Sequence, residues 1–152
     1  MDKGRYRRGS HTVTDFKYHV VWKTKYGHHV LKGDIALRLR EIITEICAQN
    51  KMDIISGNIR SNHIHMLIRS PSYLSPSKMM QYLKGKSSYR LQREFPRLRK
   101  AYWGRHLWSR GYFAATVGAV TEEHIQRYIE SQDDVHESFK IWDEPIKNDE
   151  SD

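Results

Sequence analysis

The run Asn62-His63-Ile64-His65-Met66-Leu67-Ile68 constrains the fold more than any other part of this chain. Its apolar density reads as a strand, with the next polar residues only at Arg69 and Ser70. Side chains alternate across a strand, so His63, His65 and Leu67 share one face while Ile64, Met66 and Ile68 share the other. Residues 52–59 read as a second strand, and only Arg60-Ser61-Asn62 separates the two. So short a connection makes them an antiparallel hairpin. Two imidazoles about 6.5 Å apart along one strand face can converge on a divalent ion. Taken alone, a His-x-His spacing points more often to two exposed histidines on an open sheet face. A third ligand and a nucleophile have to come from elsewhere.

The rest of the chain limits what the hairpin can belong to. At 152 residues it is a single domain with room for a sizeable core. Residues 133–152 hold eight acids and two bases, so the net +8 of the whole chain leaves +14 on residues 1–132. A basic body with an acidic tail suggests a polyanion partner, nucleic acid above all, although charge alone fits a soluble basic protein equally well. Cys47 is the only cysteine, which excludes an internal disulfide and points to a reducing cytoplasm. No stretch reaches ~18 apolar residues, so no membrane partner is expected.

Three segments divide the chain: a basic flexible arm over 1–11 (with Arg7 and Arg8), a domain over 12–132, and the acidic tail over 133–152. Within the domain, residues 12–24 carry Val13, Phe16, Tyr18, Val20, Val21 and Trp22 and predict a first strand. His19, inside it, reads as a sheet-face histidine rather than a ligand. Asp34 is the expected N-cap of a helix to about residue 50, with Ile35, Leu39, Ile42, Ile43 and Ile46 as its buried stripe. Ser75-Pro76 opens a second long helix whose inner side is Met79, Met80, Leu83, Ser87 and Leu91. Lys78, Lys84, Lys86, Arg90 and Arg93 would form its cationic outer surface. Gly85 weakens that helix by about 1 kcal/mol relative to alanine, which a close contact would explain.

Residues 97–113 interleave cations with aromatics, among them Trp103, Arg105, Trp108 and Arg110. The combination suits unstacked bases and phosphates of a single strand, and equally a core-edge strand with snorkelling basic residues. A fourth strand is expected within 107–116. Residues 116–120 are small and hinge-like, and Thr121 is the expected cap of a last helix bearing Ile125, Tyr128, Ile129 and Gln132 at helical spacing. Tyr128 and Gln132 then lie one turn apart on the same side. His63, His65 and the Gln132 amide could hold one divalent cation, leaving Tyr128 to attack phosphorus.

This set resembles the single-tyrosine transposases of small insertion sequences, the TnpA type of the HUH (His-hydrophobic-His) superfamily. The likeness runs over about residues 10–132. It is carried by His63-Ile64-His65, Gln81-Tyr82-Leu83-Lys84-Gly85-Lys86-Ser87-Ser88, the stretch from Tyr102 to Phe113, and Tyr128 with Gln132. The resemblance implies an α+β fold, a ferredoxin-like antiparallel sheet packed with helices, plus a C-terminal helix carrying the catalytic tyrosine. It implies Mg²⁺ or Mn²⁺ at the histidines, and a homodimer in which the helix of Tyr128 can serve the partner's site with Gly118 as hinge. The implied activity is binding of hairpins at element ends, and cleavage and rejoining of single-stranded DNA through a 5′-phosphotyrosine. Arg7, Arg8, Lys84, Lys86, Arg90, Trp103, Arg105 and Arg110 are the candidate DNA contacts. Small replication initiators, which share the two histidines, often place lysine three residues after the tyrosine; Ser131 stands there. Two rivals remain: a domesticated, repeat-associated tyrosine nuclease, and a non-catalytic nucleic-acid-binding regulator.

Overall fold

A computed structural model describes residues 7–8, 13–131 and 141–143. Two short strands, β1 (Arg7–Arg8) and β2 (Val13–Thr14), pair with each other. After Asp15 the chain enters β3 (Phe16–Lys23), then α1 (Gly33–Gln49), β4 (Asp53–Ile59) and β5 (His63–Ser70). There follow α2 (Pro76–Glu94), α3 (Pro96–Ala101), β6 (Phe113–Thr116), α4 (Ala119–Ser131) and β7 (Ile141–Asp143). The sheet order is β6-β3-β5-β4-β7, and every neighbouring pair is antiparallel. Without β7 this is the β-α-β-β-α-β arrangement of a ferredoxin-like fold, as expected. Three residues of the acidic segment supply β7, which lies along the outer edge of β4.

Amphipathicity explains the layers. The expected stripes of both long helices are buried in full, and α1 and α2 pack together over one sheet face. That face presents Val20, Trp22, Ile54, Ile59, Ile64, Met66 and Ile68, all within the main core. Fully burying one such aliphatic side chain stabilises the fold by about 1.5–3 kcal/mol. Trp22 and Trp108 meet edge to face at 5.8 Å, and the indole of Trp108 donates to Ser87 Oγ at 2.9 Å. Trp108 is thus a core residue.

The opposite sheet face receives the last helix. A smaller cluster of Ile55, Leu67, Val117 and Ile129, with Ile125 packed against it, seats α4 there. A bulge decides what α4 meets. Register slips between Ile54 and Ser56, making Ile55 the extra residue. Beyond it the parity of β4 is inverted: Ile59 reaches the main core, while Ser56 and Asn58 stand opposite Leu67 and His65 on the α4 face.

Some local expectations change. Helix α1 starts at Gly33 with Lys32 as its N-cap residue and no side-chain cap. Asp34 instead sits in the first turn, accepts from the Ile35 amide at 3.0 Å and pairs with Arg97. Likewise α4 begins two residues before Thr121, so the hinge-like stretch shrinks to Val117 and Gly118 between β6 and α4. An added Cβ on Gly85 would meet nothing within 4 Å, so no close approach inside the described chain accounts for that glycine. The Ser75 cap is as read, its hydroxyl accepting from the Lys78 amide at 3.1 Å.

Candidate active site

Alternation along β5 places His63 and His65 on the α4 face, and α4 lays Tyr128 over them. The rings of His63 and His65 are 4.7 Å apart and those of His65 and Tyr128 are 5.7 Å apart, centre to centre. Ile129, fully buried one residue on, anchors the helix so that Tyr128 stays at the rim, 47% exposed. A phenol so placed can reach a substrate from solvent while its ring rests against imidazole.

The electrostatics favour ligation. Burial, followed by the neighbouring His63 and His19, lowers the pKa of His65 to about 4. Burial, with the positive charge of Arg60 and the nearby His29, lowers that of His63. Both imidazoles are therefore neutral near pH 7 and carry a free lone pair. The Asn62 Oδ1 lies 2.8 Å from His63 Nδ1. An amide oxygen only accepts, so Nδ1 must carry the proton and Nε2 the lone pair. The buried Nδ1 of His65 has no hydrogen-bond partner among the described residues. Neutral nitrogens, one of them buried and unpartnered, fit a divalent cation. No group of three or more His, Cys, Asp or Glu side chains suited to a metal occurs among the described residues. Gln132, the expected third ligand, lies outside them.

Two participants escape a reading of single segments. His19, expected to be an ordinary sheet-face histidine, is on that face but inside the site: its ring stacks 5.9 Å from His65 and is 6.4 Å from Tyr128. Burial lowers its pKa. Asn58 is completely buried and donates from Nδ2 to the Ile129 carbonyl at 3.0 Å. Alternation within residues 16–23 would have put His19 on one face with Lys17; only the pairing of Val21 with His65 brings it beside the β5 histidines.

Beside His63 opens a cleft lined by Val21, Trp22, Lys23, Asn62, His63 and Phe113. Phe113 is half exposed and its edge meets His19 at 5.5 Å. Trp103 is 88% exposed and has φ +56°, followed by Gly104 at +69°. A left-handed aromatic residue is uncommon outside functional or strained turns. Arg105 and Arg110 are exposed nearby in sequence. The outer face of α2 is less free than expected. Lys84 Nζ donates to the carbonyls of Ser109 and Gly111 at 2.8 and 2.7 Å, so this lysine ties down the loop before β6. Arg90 pairs with Glu45 at 3.3 Å, and Lys86 lies 5.3 Å from the centre of the Tyr82 ring. The side chains of Arg7 and Arg8 lie outside the described ones.

The family model described as "Transposase IS200 like" matches residues 12–132. The chain belongs to the IS200-like transposase family. The ISDra2 transposase TnpA of Deinococcus radiodurans is 35% identical over 128 residues, covering 84% of this chain and 91% of that protein. The transposase for insertion sequence element IS200 of Salmonella typhimurium is 37% identical over 123 residues, 81% of this chain and 80% of that one. A crystal structure of a putative transposase from Deinococcus radiodurans matches with a TM-score of 0.69 and 32% identity, over 83% of this chain and 97% of the other. The fold is also shared, at a TM-score of 0.58 and 12% identity, by a REP-associated tyrosine transposase bound to a REP hairpin. IS200-like membership makes this a transposase, a DNA-acting enzyme that transfers strands. No helix among the described residues is long and apolar enough to cross a membrane.

Proposed function

We propose that this IS200-like transposase cleaves and rejoins single-stranded DNA at element ends, with Tyr128 as nucleophile. The observation that carries the reading is the packing of the Tyr128 ring against His65, at the exposed rim of a pair of neutral histidines. His63 and His65, with the Gln132 side chain, would hold Mg²⁺ or Mn²⁺. Bound there, such an ion supplies Lewis-acid polarisation of a phosphodiester.

The chain's own groups do the rest. The DNA strand enters by the cleft beside His63, where Phe113 offers a ring to a base and Lys23 a charge to a phosphate. Tyr128 loses its phenolic proton to solvent and its oxygen attacks phosphorus. The P–O3′ bond breaks, and the departing oxygen takes up a proton to leave a free 3′-hydroxyl. The 5′-phosphate stays esterified to Tyr128. Reversal by the 3′-hydroxyl of another strand releases the phenol and joins the new ends. Hairpin binding by this chain is consistent with the REP hairpin bound to the neighbour of like fold. The active form would be a homodimer; in the single chain, Tyr128 already lies beside its own histidines.

Tyr128→Phe tests the assignment. Removal of one hydroxyl from a half-exposed ring leaves folding and hairpin affinity intact. The parent should give a covalent protein–DNA adduct on a denaturing gel, with a free 3′-hydroxyl on the released fragment, and the variant none. Persistence of the adduct in Tyr128→Phe would overturn the proposal. Mixing that variant with His63→Ala, His65→Ala restores activity only if the helix of one subunit completes the site of the other.

A further inference from the structure

Lys17 is a lysine with nowhere to snorkel. Its side chain is 1% exposed, on the same face of β3 as His19. Its ammonium lies 2.8 Å from Asp15 Oδ2 and 2.7 Å from Glu122 Oε1. A buried ammonium is costly unless paired, so both carboxylates matter to where it can sit. Asp15 is not available to it alone, since Arg69 Nε, itself nearly buried, approaches the other oxygen at 3.6 Å. Two cations thus share the carboxylate of Asp15, just before β3, and the carboxylate that completes the cluster comes from the first turn of α4.

The same residue holds the chain that leads into the helix. The Lys17 carbonyl accepts from the Val117 amide at 2.9 Å, and the Glu122 amide donates to the Gly118 carbonyl at 3.0 Å. From Glu122 to Tyr128 the helix rises about 9 Å. At that end Asn58 grips the Ile129 carbonyl. The apolar contact that seats the helix, among the described residues, is the small cluster of Ile55, Leu67, Val117, Ile125 and Ile129. Apolar contact is non-directional and tolerates a slide or a roll of the helix. An ion pair to a buried ammonium and a hydrogen bond from a buried amide side chain each oppose such a slide.

We infer that Lys17 is a positioning residue for Tyr128: through Glu122 it fixes the axial register of α4, with Asn58 as the second fixed point, so that the phenol stands over His65. The inference rests on the reading of Tyr128 as nucleophile, but the clamp itself is a property of the free protein.

The decisive variant is Glu122→Gln, which keeps the shape and removes the charge from a partly exposed position. Hydrogen exchange of the α4 amides, in free protein, should quicken by at least tenfold around Tyr128 and Ile129 while protection in β3 and β5 is unchanged. With saturating hairpin DNA, the single-turnover rate of phosphotyrosine formation should fall by at least tenfold. Hairpin affinity should stay within twofold of the parent, which a general loss of structure would not allow. Glu122→Asp, which keeps the charge, should recover part of the rate. Adding Glu122→Gln to Lys17→Met should cost no more than Lys17→Met alone, because the two act through one contact. Parent-like exchange in α4 for Glu122→Gln would overturn the clamp, whether or not the parent forms an adduct. Absence of an adduct from the parent would instead overturn the role of Tyr128.

Discussion

Asn62→Ala offers a measurable handle on the histidine pair. The 2.8 Å contact from His63 Nδ1 to Asn62 Oδ1 is partly buried and joins two neutral groups. A neutral hydrogen bond of this kind contributes about 0.5–1.5 kcal/mol net. Its loss also frees the imidazole to place its proton on Nε2, the nitrogen that would ligate. At 1.4 kcal/mol per factor of ten, the upper end of that range is about tenfold in metal affinity. Loss of a group that orients a metal-binding histidine typically costs roughly 10–100-fold, so the two routes meet near tenfold. The assay is a Mn²⁺ titration by calorimetry or electron paramagnetic resonance, with ¹⁵N chemical shifts of His63 reporting the tautomer in metal-free protein. Asn62→Asp should move affinity the other way at neutral pH, because a carboxylate is the stronger acceptor and stabilises the cation. Parent-like Mn²⁺ affinity in Asn62→Ala, with the Nδ1–H tautomer retained, would refute the argument.

Chelation with EDTA should abolish strand cleavage and leave most DNA binding, which in turn should weaken steeply with salt because it rests on phosphate contacts; full cleavage in EDTA removes the cation from the proposal. Trp103→Ala should lose ~1–3 kcal/mol of single-strand affinity with an unchanged melting temperature. Trp108→Ala should instead lose ~3–5 kcal/mol of stability, and equal effects in the two variants would erase the distinction between surface and core rings. In metal-free buffer His65 should titrate near 4, not near 6.5, when followed by NMR. Since its folded pKa lies below the unfolded value, the folded state binds fewer protons between the two. The stability tied to its neutral form is complete above pH 6.5 and is lost as pH falls toward 4; a midpoint near 6.5 would contradict the burial argument.

Much of the site was legible because the deciding signals are local. A strand of period two commits His63 and His65 to one face whatever surrounds it, and the structure keeps them there. Helical spacing likewise put Tyr128 beside Ile125 and Ile129, and buried stripes predicted residue by residue how α1 and α2 would pack. The outer face of α2 misled because a lysine at helical spacing looks solvated until a loop 25 residues away supplies carbonyls, as Ser109 does for Lys84.

The sequence by itself determined the hairpin, the paired histidines, the two core stripes and the tyrosine on its helix, because each depends on contacts or periodicities within a few residues. Only the tertiary structure decided what stands next to them. Cross-strand register brought His19 to His65, and a single extra residue at Ile55 turned Asn58 from the core face to the helix. The docking of α4 then closed Glu122 onto Lys17, 105 residues apart in sequence. Register and docking are settled by the sum of distant contacts, and no short window of sequence contains that sum.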